Sequence, residues 1–576
     1  MHRPTDPIAS PIRARIHERA LSRVTKLFNA GLGDIFAELF QNARRGGAGR
    51  IDVTVERIPS QFEGDRLITV IDDGAGIADP AVLLSFGESG WDAGTAERED
   101  AAGMGLLSLA RRGCVVRSRV RCEATQPGWR MLLTPDHFLG SDDAQVVPDD
   151  EGPSPHGTAI AFVAHETAEA IRAAVAGAAR YAPLPVTFDG DAVPQESFLD
   201  GACHTERWAG LTMGVFKNRH DPFNQPDLNF HGLTLNVRLP RVQTLDGDTW
   251  SVRAEVESCP ELELVLPARK EAVETPFLAT LREAVREPIY HALAVADPAP
   301  RVAWKDHRDA ARLGIPLPVA PAELRPWRPA TADVDDWREA MPFTPAPDNA
   351  LVMAYDPDPP EAQALYRAAE QAGLHQRLFE ADKRLEGYPW YDALARVRNL
   401  HVEITAGDGV RWLDTLRSTS PGAAASPSTT DTPMRPEAIR MHLERARAGK
   451  PQAPLSIPAD VVFLGEAYTW VGDAQPLVTA DSAIEPETLT RLLRGGFFCP
   501  SDDAAADAWE TQSVRFDEEA LHIALKLLAS EDEARRRTIA QAVWREILWL
   551  MPKDRAVDIA IRNGDVAVTL GPLAGG

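Results

Sequence analysis

Short apolar or alternating runs and helical patterns follow one another along the first 170 residues. The amphipathic stretch DIFAELFQNARR (34–45) predicts a helix, because its apolar residues recur at helical spacing. Strands of one sheet are predicted for IDVTV (51–55), LITVI (67–71), CVVRSRV (114–120), WRMLL (129–133) and TAIAFV (158–163). We therefore predict an α/β fold class whose N-terminal part is a two-layer α/β sandwich.

The remaining chain divides by composition into four further segments. A second α/β domain (176–300) is predicted from the strands LTLNVRL (233–239), SVRAEVE (251–257) and LELVLP (262–267), closed by one long helix over 275–296. With the first domain (1–175), the predicted division continues with a middle α+β domain (301–417), a low-complexity flexible linker (418–435) and a C-terminal α/β domain (436–576). In the last of these, IAQAVWREILWLM (539–551) predicts a core helix, with a dimerisation helix as the alternative.

Charge and cysteine usage restrict the class of partner. The formal net charge of −24 would repel nucleic-acid phosphates unless a local basic face outweighed it. The five cysteines are scattered, which predicts free thiols and argues against disulfides or a cysteine-based zinc site. The N-terminus lacks the apolar core of a secretory signal, so a cytoplasmic location away from membranes is expected.

Four motifs follow one another within these first 170 residues, and each suits one part of a nucleotide. They are ELFQNA (38–43), VIDDGAGI (70–77), AGMGLLS (102–108) and GTAIAF (157–162). A carboxylate at a strand end can accept a hydrogen bond from an exocyclic amine, and small residues after it let a base approach closely. Glycines before a helix allow backbone N–H groups to reach phosphate oxygens. An asparagine oxygen suits Mg²⁺, and a carboxylate one helical turn away can deprotonate water.

As an ordered set, these motifs resemble the N, G1 and G2 boxes and the adenine-side threonine strand of the GHKL ATPases. That superfamily includes DNA gyrase, the ninety-kilodalton heat-shock chaperones, sensor histidine kinases and MutL-type repair proteins. The resemblance implies a Bergerat-type ATP site in residues 1–175, with Glu38 as general base and Asn42 as ligand of Mg²⁺. It also implies that ATP is contacted by Asn42, Asp72, Gly74, Gly76, Ile77, Gly103, Met104, Gly105, Leu106 and Thr158.

Two residues depart from the family pattern. Asp73 stands where the G1 box usually has asparagine, and Asp100 stands where the G2 box usually begins with a further glycine. An extra carboxylate near the phosphates would weaken nucleotide binding unless metal or solvent offset its charge. Between the two boxes, the polar segment 83–102 corresponds to the lid that closes over ATP in this superfamily.

The second domain carries a further resemblance. LELVLPARKEAVETPFLATLREAV (262–285) is similar to the end of the second, transducer-like domain of MutL-type and related ATPases, in which a lysine reaches the γ-phosphate. Arg269 lies where that lysine would fall and Lys270 is next to it. Either cation could stabilise the charge on the transferred phosphoryl group, so both are candidate catalytic residues.

The resemblance implies a slow ATPase that acts as an ATP-gated homodimeric clamp, similar to the heat-shock chaperones, on a protein client. One alternative is a DNA-associated clamp of the MutL or topoisomerase kind, using Arg117, Arg119 and Arg121, which alternate along one strand. The acidic net charge disfavours it. The other alternative is a nucleotide-sensing scaffold with negligible turnover, which Asp73 and Asp100 favour.

Overall fold

The computed structural model describes residues 31–58, 65–85, 105–121, 128–218, 226–265, 270–333, 339–407, 409–419, 435–468, 470–501, 503, 507–550, 555–563 and 565–572. The chain forms two compact units, Met1–Ala320 and Pro321–Gly576. Most of the predicted lid (83–102) and most of the predicted linker (418–435) lie outside the described residues.

The described residues in the first part of unit 1 form eight strands and three α-helices. The helices are α1 (Leu32–Arg45), α2 (Pro135–Leu139) and α3 (Ala168–Ala179). The strands are β1 (Ile51–Arg57), β2 (Arg66–Asp72), β3 (Cys114–Arg119), β4 (Gly128–Leu133), β5 (Val146–Asp149), β6 (Gly157–Ala164), β7 (Val186–Phe188) and β8 (Asp191–Ala192). Two 3₁₀ helices, Pro80–Leu83 and Gly105–Leu109, lie in the same part.

These strands form one sheet in the order β5-β4-β3-β6-β2-β1-β7-β8, antiparallel throughout except between β1 and β7. The apolar stripe of α1, which includes Ile35, Phe36 and Leu39, packs with α3 in a core shared with Ile68 and Val70 of the sheet. All five predicted N-terminal strands are present within one or two residues of their predicted ends. The predicted α/β class and two-layer N-terminal sandwich are therefore confirmed.

The second part of unit 1 is another sheet with helices. Its strands are β9 (His204–Trp208), β10 (Leu211–Asn218), β11 (Leu228–Phe230), β12 (Leu233–Leu235), β13 (Val242–Gln243) and β14 (Thr249–Val256). The helices are α4 (Pro276–Ala284), α5 (Arg286–Ala296) and α6 (Trp304–Arg312). The strand order is β12-β11-β14-β10-β9, with β13 also paired to β14.

Three sequence predictions in this part are wrong in detail. In place of the strand expected over 262–267, the described residues 262–265 form only an isolated bridge between Leu264 and Ala272. The strand expected over 233–239 ends at Leu235, because the Asn236 N–H bonds to the Lys270 carbonyl and the Leu239 N–H to the Asp227 carboxylate. Val237 and Leu239 are still buried, so the alternating pattern reports burial without a strand. The single helix expected over 275–296 breaks at Val285. Pro288 therefore lies in the first turn of α5, where the missing N–H of proline costs no intrahelical hydrogen bond.

Unit 2 contains a six-stranded sheet in the order β18-β17-β19-β21-β22, with β20 paired to β19. Its helices are α7 (Pro359–Gln371), α8 (Pro389–Asp392), α9 (Leu413–Thr419), α10 (Pro486–Phe497), α11 (Trp509–Leu528) and α12 (Glu531–Ile547). Its strands are β15 (Glu323–Leu324), β16 (Thr344–Pro345), β17 (Leu351–Met353), β18 (Leu378–Glu380), β19 (Ala395–Ala406), β20 (Gly409–Trp412), β21 (Ala438–Arg447), β22 (Lys450–Ala459), β23 (Val461–Phe463), β24 (Pro476–Val478), β25 (Arg555–Arg562) and β26 (Asp565–Pro572).

Strands from both sides of the predicted linker share the large sheet of unit 2, since β19 precedes residue 418 and its partner β21 follows residue 435. The division into five domains stays a prediction. The core helix predicted over 539–551 is wrong in its burial, because Ile539, Trp544 and Trp549 are 54%, 68% and 75% exposed. Within the described part of the chain, no helix combines the length and apolar character needed to cross a membrane.

Candidate nucleotide site

Helix α1 carries a polar stripe formed by Asp34, Glu38, Asn42 and Arg45. These residues are spaced i, i+4, i+8 and i+11, so they follow one another along one side of the helix. Arg45 is buried, and its Nη1 lies 3.4 Å from the Asn42 Oδ1 and 4.0 Å from the Glu38 Oε1. A cation thus lies beside both oxygen-bearing side chains at the end of the helix.

The loop after β2 is joined to the end of α1 by hydrogen bonds. The Ala75 N–H donates to the Gly46 carbonyl at 2.8 Å. The Asp73 Oδ1 accepts the N–H groups of Gly49 at 2.6 Å and Arg50 at 3.1 Å. The loop of the second sequence motif is therefore hydrogen-bonded to the residues that follow the first motif in the chain.

Asp73, the departure from the family pattern, has a visible structural role. Burial alone would raise its pKa, but the hydrogen bonds from Gly49 and Arg50 and the nearby Arg50 charge hold the pKa below its ordinary value. The Asp73 carboxylate is accordingly an anion that anchors the turn between α1 and β1.

Three polar side chains form a row across adjacent strands at the centre of the N-terminal sheet. Asp72 of β2 is opposite Thr158 of β6, and Thr158 is opposite Ser118 of β3. Their side chains share the sheet face on which Ile68 and Val70 pack against the helices. The Ser118 hydroxyl is fully buried and lies 3.4 Å from that of Thr158. The strands β2, β3 and β6 therefore meet at this row, and β2 and β6 carry the second and fourth sequence motifs.

The environment of Asp72 disfavours its ionised form. Burial raises its pKa, hydrogen bonds from the Gly74 and Thr158 N–H groups lower it, and the neighbouring Asp73 charge raises it. The net result is a pKa of about 6. Since a carboxylate has about four acceptor positions, one that is buried with two backbone donors can accept a further donor. An exocyclic amine of a nucleobase meets this demand, so Asp72 fits the adenine role that the family resemblance implies.

Gly74 and Gly76 are required by close backbone contacts. A Cβ at Gly74 would lie 2.8 Å from the Asp72 Oδ1 and 2.9 Å from the Gly46 carbonyl oxygen. Gly76 has φ +75°, and a Cβ there would overlap the Arg119 carbonyl. Only glycine allows the loop to turn past the ends of α1 and β3 at these points.

Of the remaining predicted pocket residues, some are described by the structure and others are not. The Ile77 N–H donates to the Ser118 Oγ at 2.8 Å, so Ile77 is tied to the polar row. Gly105 begins the 3₁₀ helix Gly105–Leu109, and Leu106 is half-buried against the sandwich core. Gly103, Met104 and Asp100 lie outside the described residues.

Lys270, from the second sheet region, reaches the same stripe of α1. Its Nζ lies 2.6 Å from the Asp34 Oδ1, one helical turn before Glu38, and both side chains are partly exposed. Arg269 lies outside the described residues. One of the two predicted cations is thus brought to the helix that carries the predicted base.

Gln41 forms a second connection between α1 and the second sheet. Its amide nitrogen donates to the His231 carbonyl at 2.6 Å and to the Phe230 carbonyl at 3.3 Å, in the turn between β11 and β12. The Gln41 side chain is buried. The helix therefore contacts the second sheet region through both Asp34 and Gln41.

Sequence reasoning missed Ser118, Arg45 and Gln41. Ser118 falls in the inward phase of its strand with Cys114 and Val116, so a polar residue at that position was a usable signal. Arg45 continues the helical spacing of Glu38 and Asn42, which was also readable. Gln41 carried no such signal, because its partners are nearly two hundred residues away.

The arginines considered for DNA binding are engaged within the protein. Arg117 lies 3.6 Å from carboxylate oxygens of both Asp149 and Glu151. Arg119 donates to the Asp150 carbonyl, and Arg121, which lies beyond the end of β3, donates to the carbonyls of Gly47 and Asp73. The acidic neighbours of Arg117 reduce the positive potential that a phosphate backbone would meet.

The family model HATPase_c, described as "Histidine kinase-, DNA gyrase B-, and HSP90-like ATPase", matches residues 29–136. This range contains α1, the loop after β2 and the motif AGMGLLS (102–108). No curated protein matches the chain significantly.

Two solved structures illustrate the similarity at the level of coordinates. The ATPase region of Saccharomyces cerevisiae topoisomerase II bound to ICRF-187 is 12% identical, with a TM-score of 0.30 over 46% of this chain and 86% of that one. The ATPase and transducer domains of DNA topoisomerase II from Balamuthia mandrillaris are 16% identical, with a TM-score of 0.25 over 35% of this chain and 60% of that one. Both scores are too low to assign a function.

Proposed function

Because the N-terminal part of this chain is a member of the GHKL ATPase superfamily, we propose that it binds ATP with Mg²⁺ and hydrolyses it slowly. The observation that carries the proposal is the junction of α1 with the loop after β2, where the Gly46 carbonyl accepts the Ala75 N–H. This junction brings the polar stripe of α1 and the buried Asp72 to the same end of the sandwich.

Each residue then has a proposed task. Asp72 accepts the adenine amine, Thr158 and Ser118 support it from the neighbouring strands, and Gly74, Gly76 and Ile77 shape the pocket. Gly103, Met104, Gly105 and Leu106 hold the phosphates, a role that rests on the family resemblance.

On α1, Glu38 takes the proton of the attacking water and Asn42 offers an oxygen to Mg²⁺, which supplies positive charge to the phosphates. Arg45, one turn beyond Asn42 and two turns beyond Glu38, positions both side chains. Lys270 exchanges Asp34 for the γ-phosphate, with Arg269 as the alternative cation.

We further propose that ATP controls a homodimeric clamp that acts on a protein client. The homodimer and the protein client rest on the family resemblance, whereas control by ATP is supported by the pair of contacts from α1 to the second sheet region, through Asp34–Lys270 and Gln41–His231. If Lys270 leaves Asp34 to bind the γ-phosphate, the presence or absence of that phosphate decides whether the Asp34–Lys270 contact forms. The DNA-associated clamp is less favoured because Arg117 and Arg119 are engaged by residues 149–151.

Steady-state phosphate release tests the assigned base. Glu38→Gln keeps the size of the side chain and removes its basicity, so kcat should fall about 100-fold or more while ATP affinity is kept. Glu56→Gln, at an exposed position of β1 in the same sheet, is the matched control and should retain wild-type kcat.

Equal phosphate release by the Glu38→Gln and wild-type proteins would show that Glu38 is not the base. Tight ATP binding by the wild type without phosphate release above background would favour the nucleotide-sensing scaffold. Salt-dependent DNA binding that is lost in Arg117→Ala/Arg119→Ala would favour the DNA-associated clamp.

A further inference from the structure

A cluster of two histidines and a glutamate, none of which is assigned to the nucleotide site, lies in the second sheet region of unit 1. His204 and Glu206 are two residues apart on β9, so their side chains share one face of the strand. His291 approaches them from α5, which packs on β9. Residues distant in sequence are thus brought together by the strand–helix packing.

The potential ligand atoms converge on one point. The His204 Nε2 lies 2.6 Å and the His291 Nδ1 2.5 Å from the same oxygen of Glu206, Oε1. All three atoms lie within 4.8 Å of one another. The two imidazole rings are steeply inclined, at 66°, so each directs a nitrogen to the common oxygen from a different side.

The cluster is held by regular structure yet open to an ion. His204 and Glu206 are in the β9–β10 ladder, opposite Val215 and Met213. Ile289, Tyr290 and Leu293 bury the other side of α5 in the core of the domain. The side chains of His204, Glu206 and His291 retain 30%, 29% and 39% of their exposure, so an ion can reach them without unfolding the domain.

Nitrogen and carboxylate donors in this number are typical of a transition metal. Imidazole suits zinc and related divalent ions, whereas Mg²⁺ prefers an all-oxygen shell. Ligand atoms about 2.0–2.1 Å from a tetrahedral zinc lie roughly 3.3 Å apart, so small side-chain rotations would admit an ion. Three protein ligands leave one position for water.

We propose that His204, Glu206 and His291 bind a divalent transition-metal ion of the zinc class, with water completing the coordination shell. The ion ties α5 to β9 and thereby stabilises the second sheet region. Its donor set differs from the single asparagine oxygen assigned to Mg²⁺ on α1, so the two sites select different metals. The proposal is independent of ATP binding and hydrolysis.

Zinc titration of the tag-free, chelator-treated full chain, in competition with a chromophoric chelator, tests this site. The wild-type protein should bind zinc at a site that His291→Ala and Glu206→Gln weaken by at least about 100-fold. His165→Ala is the matched control, because His165 also pairs its Nδ1 with a carboxylate, that of Asp65, and no second histidine joins this pair among the described residues. It should bind zinc as the wild type does.

Thermal unfolding and spectroscopy give readouts besides affinity. Zinc should raise the melting temperature of the wild type and of His165→Ala, and should leave that of Glu206→Gln unchanged. Cobalt should give the visible absorption of a nitrogen- and oxygen-ligated ion with the wild type. It should not do so with His291→Ala or Glu206→Gln. Equal zinc affinity and stoichiometry in the wild type, His291→Ala and Glu206→Gln would falsify the proposal and leave a metal-free hydrogen-bonded cluster.

Discussion

Asp72 couples the stability of the nucleotide-free protein to pH. Its pKa rises from 3.8 to about 6 on folding, because burial disfavours the carboxylate. A carboxyl group whose folded pKa is raised destabilises the fold once both states are ionised, above pH 6, and has no effect once both are protonated, below about pH 4. The full difference corresponds to an upper value of about 3 kcal/mol.

Asp72→Asn should therefore stabilise the nucleotide-free protein at pH 7–8, and this gain should decline as the pH falls from 6 to 4. The same variant should bind ATP much more weakly, because the amide presents fewer acceptors to the adenine amine. Thermal unfolding across this pH range and calorimetric ATP titration measure the two effects. A stability gain that did not depend on pH would contradict the assigned cause.

Gly76 and Gly140 form a matched pair for backbone effects. Both have φ near +70°, but a Cβ at Gly76 would overlap the Arg119 carbonyl, whereas that at Gly140 has open space around it. Gly140→Ala should cost about 1–2 kcal/mol of unfolding free energy, the ordinary cost of a left-handed conformation. Gly76→Ala should cost clearly more, and chemical unfolding followed by circular dichroism measures the difference. Equal costs would mean that the loop moves freely away from β3.

At the scale of elements, α1 is the point at which three parts of the fold meet. Its apolar side packs in the sandwich core, its polar stripe carries Glu38 and Asn42, and its Gln41 holds the β11–β12 turn. Phe230 and His231 each offer a carbonyl to one amide nitrogen. A buried hydrogen-bonding group of this kind is costly to lose, because both of its hydrogen bonds to the turn are lost with it.

Gln41→Met keeps the volume and removes the donor, so it should cost about 1–3 kcal/mol and increase hydrogen exchange in residues 228–235. Gln243→Met, at an exposed position of β13, is the control and should change neither quantity. Exchange measured by mass spectrometry separates a local effect on the turn from general destabilisation. Unchanged exchange in this turn would rule out Gln41 as its anchor.

At the scale of the whole molecule, the Lys270–Asp34 pair connects the two sheet regions of unit 1 at a partly exposed position. Such a pair contributes at most about 1 kcal/mol, so Lys270→Ala should leave the melting temperature nearly unchanged. If Lys270 reaches the γ-phosphate, kcat should nevertheless fall about 100-fold. Phosphate release and thermal unfolding, with Lys305→Ala on α6 as an exposed control, test this separation. Wild-type turnover in Lys270→Ala would leave Arg269 as the candidate cation.

Local patterns were sufficient for the strands of the N-terminal sheet, because alternation along a strand follows directly from burial of one face. They were insufficient where backbone partners come from elsewhere, as at Asn236 and Leu239, whose N–H groups bond to Lys270 and Asp227. The apolar segment 539–551 likewise predicted a buried helix, yet Trp544 is mostly exposed. Hydrophobicity alone does not say which neighbours will cover a helix.

The sequence by itself determined the α/β class, the order of the four motifs and the placement of Glu38 and Asn42 one turn apart, since these depend on short-range periodicity. Only the tertiary structure decided that Asp73 anchors the turn after α1, that Ser118 joins Asp72 and Thr158 in one row, and that His204, Glu206 and His291 converge. These contacts join residues that the sheet register and helix packing bring together, and no local pattern encodes that register.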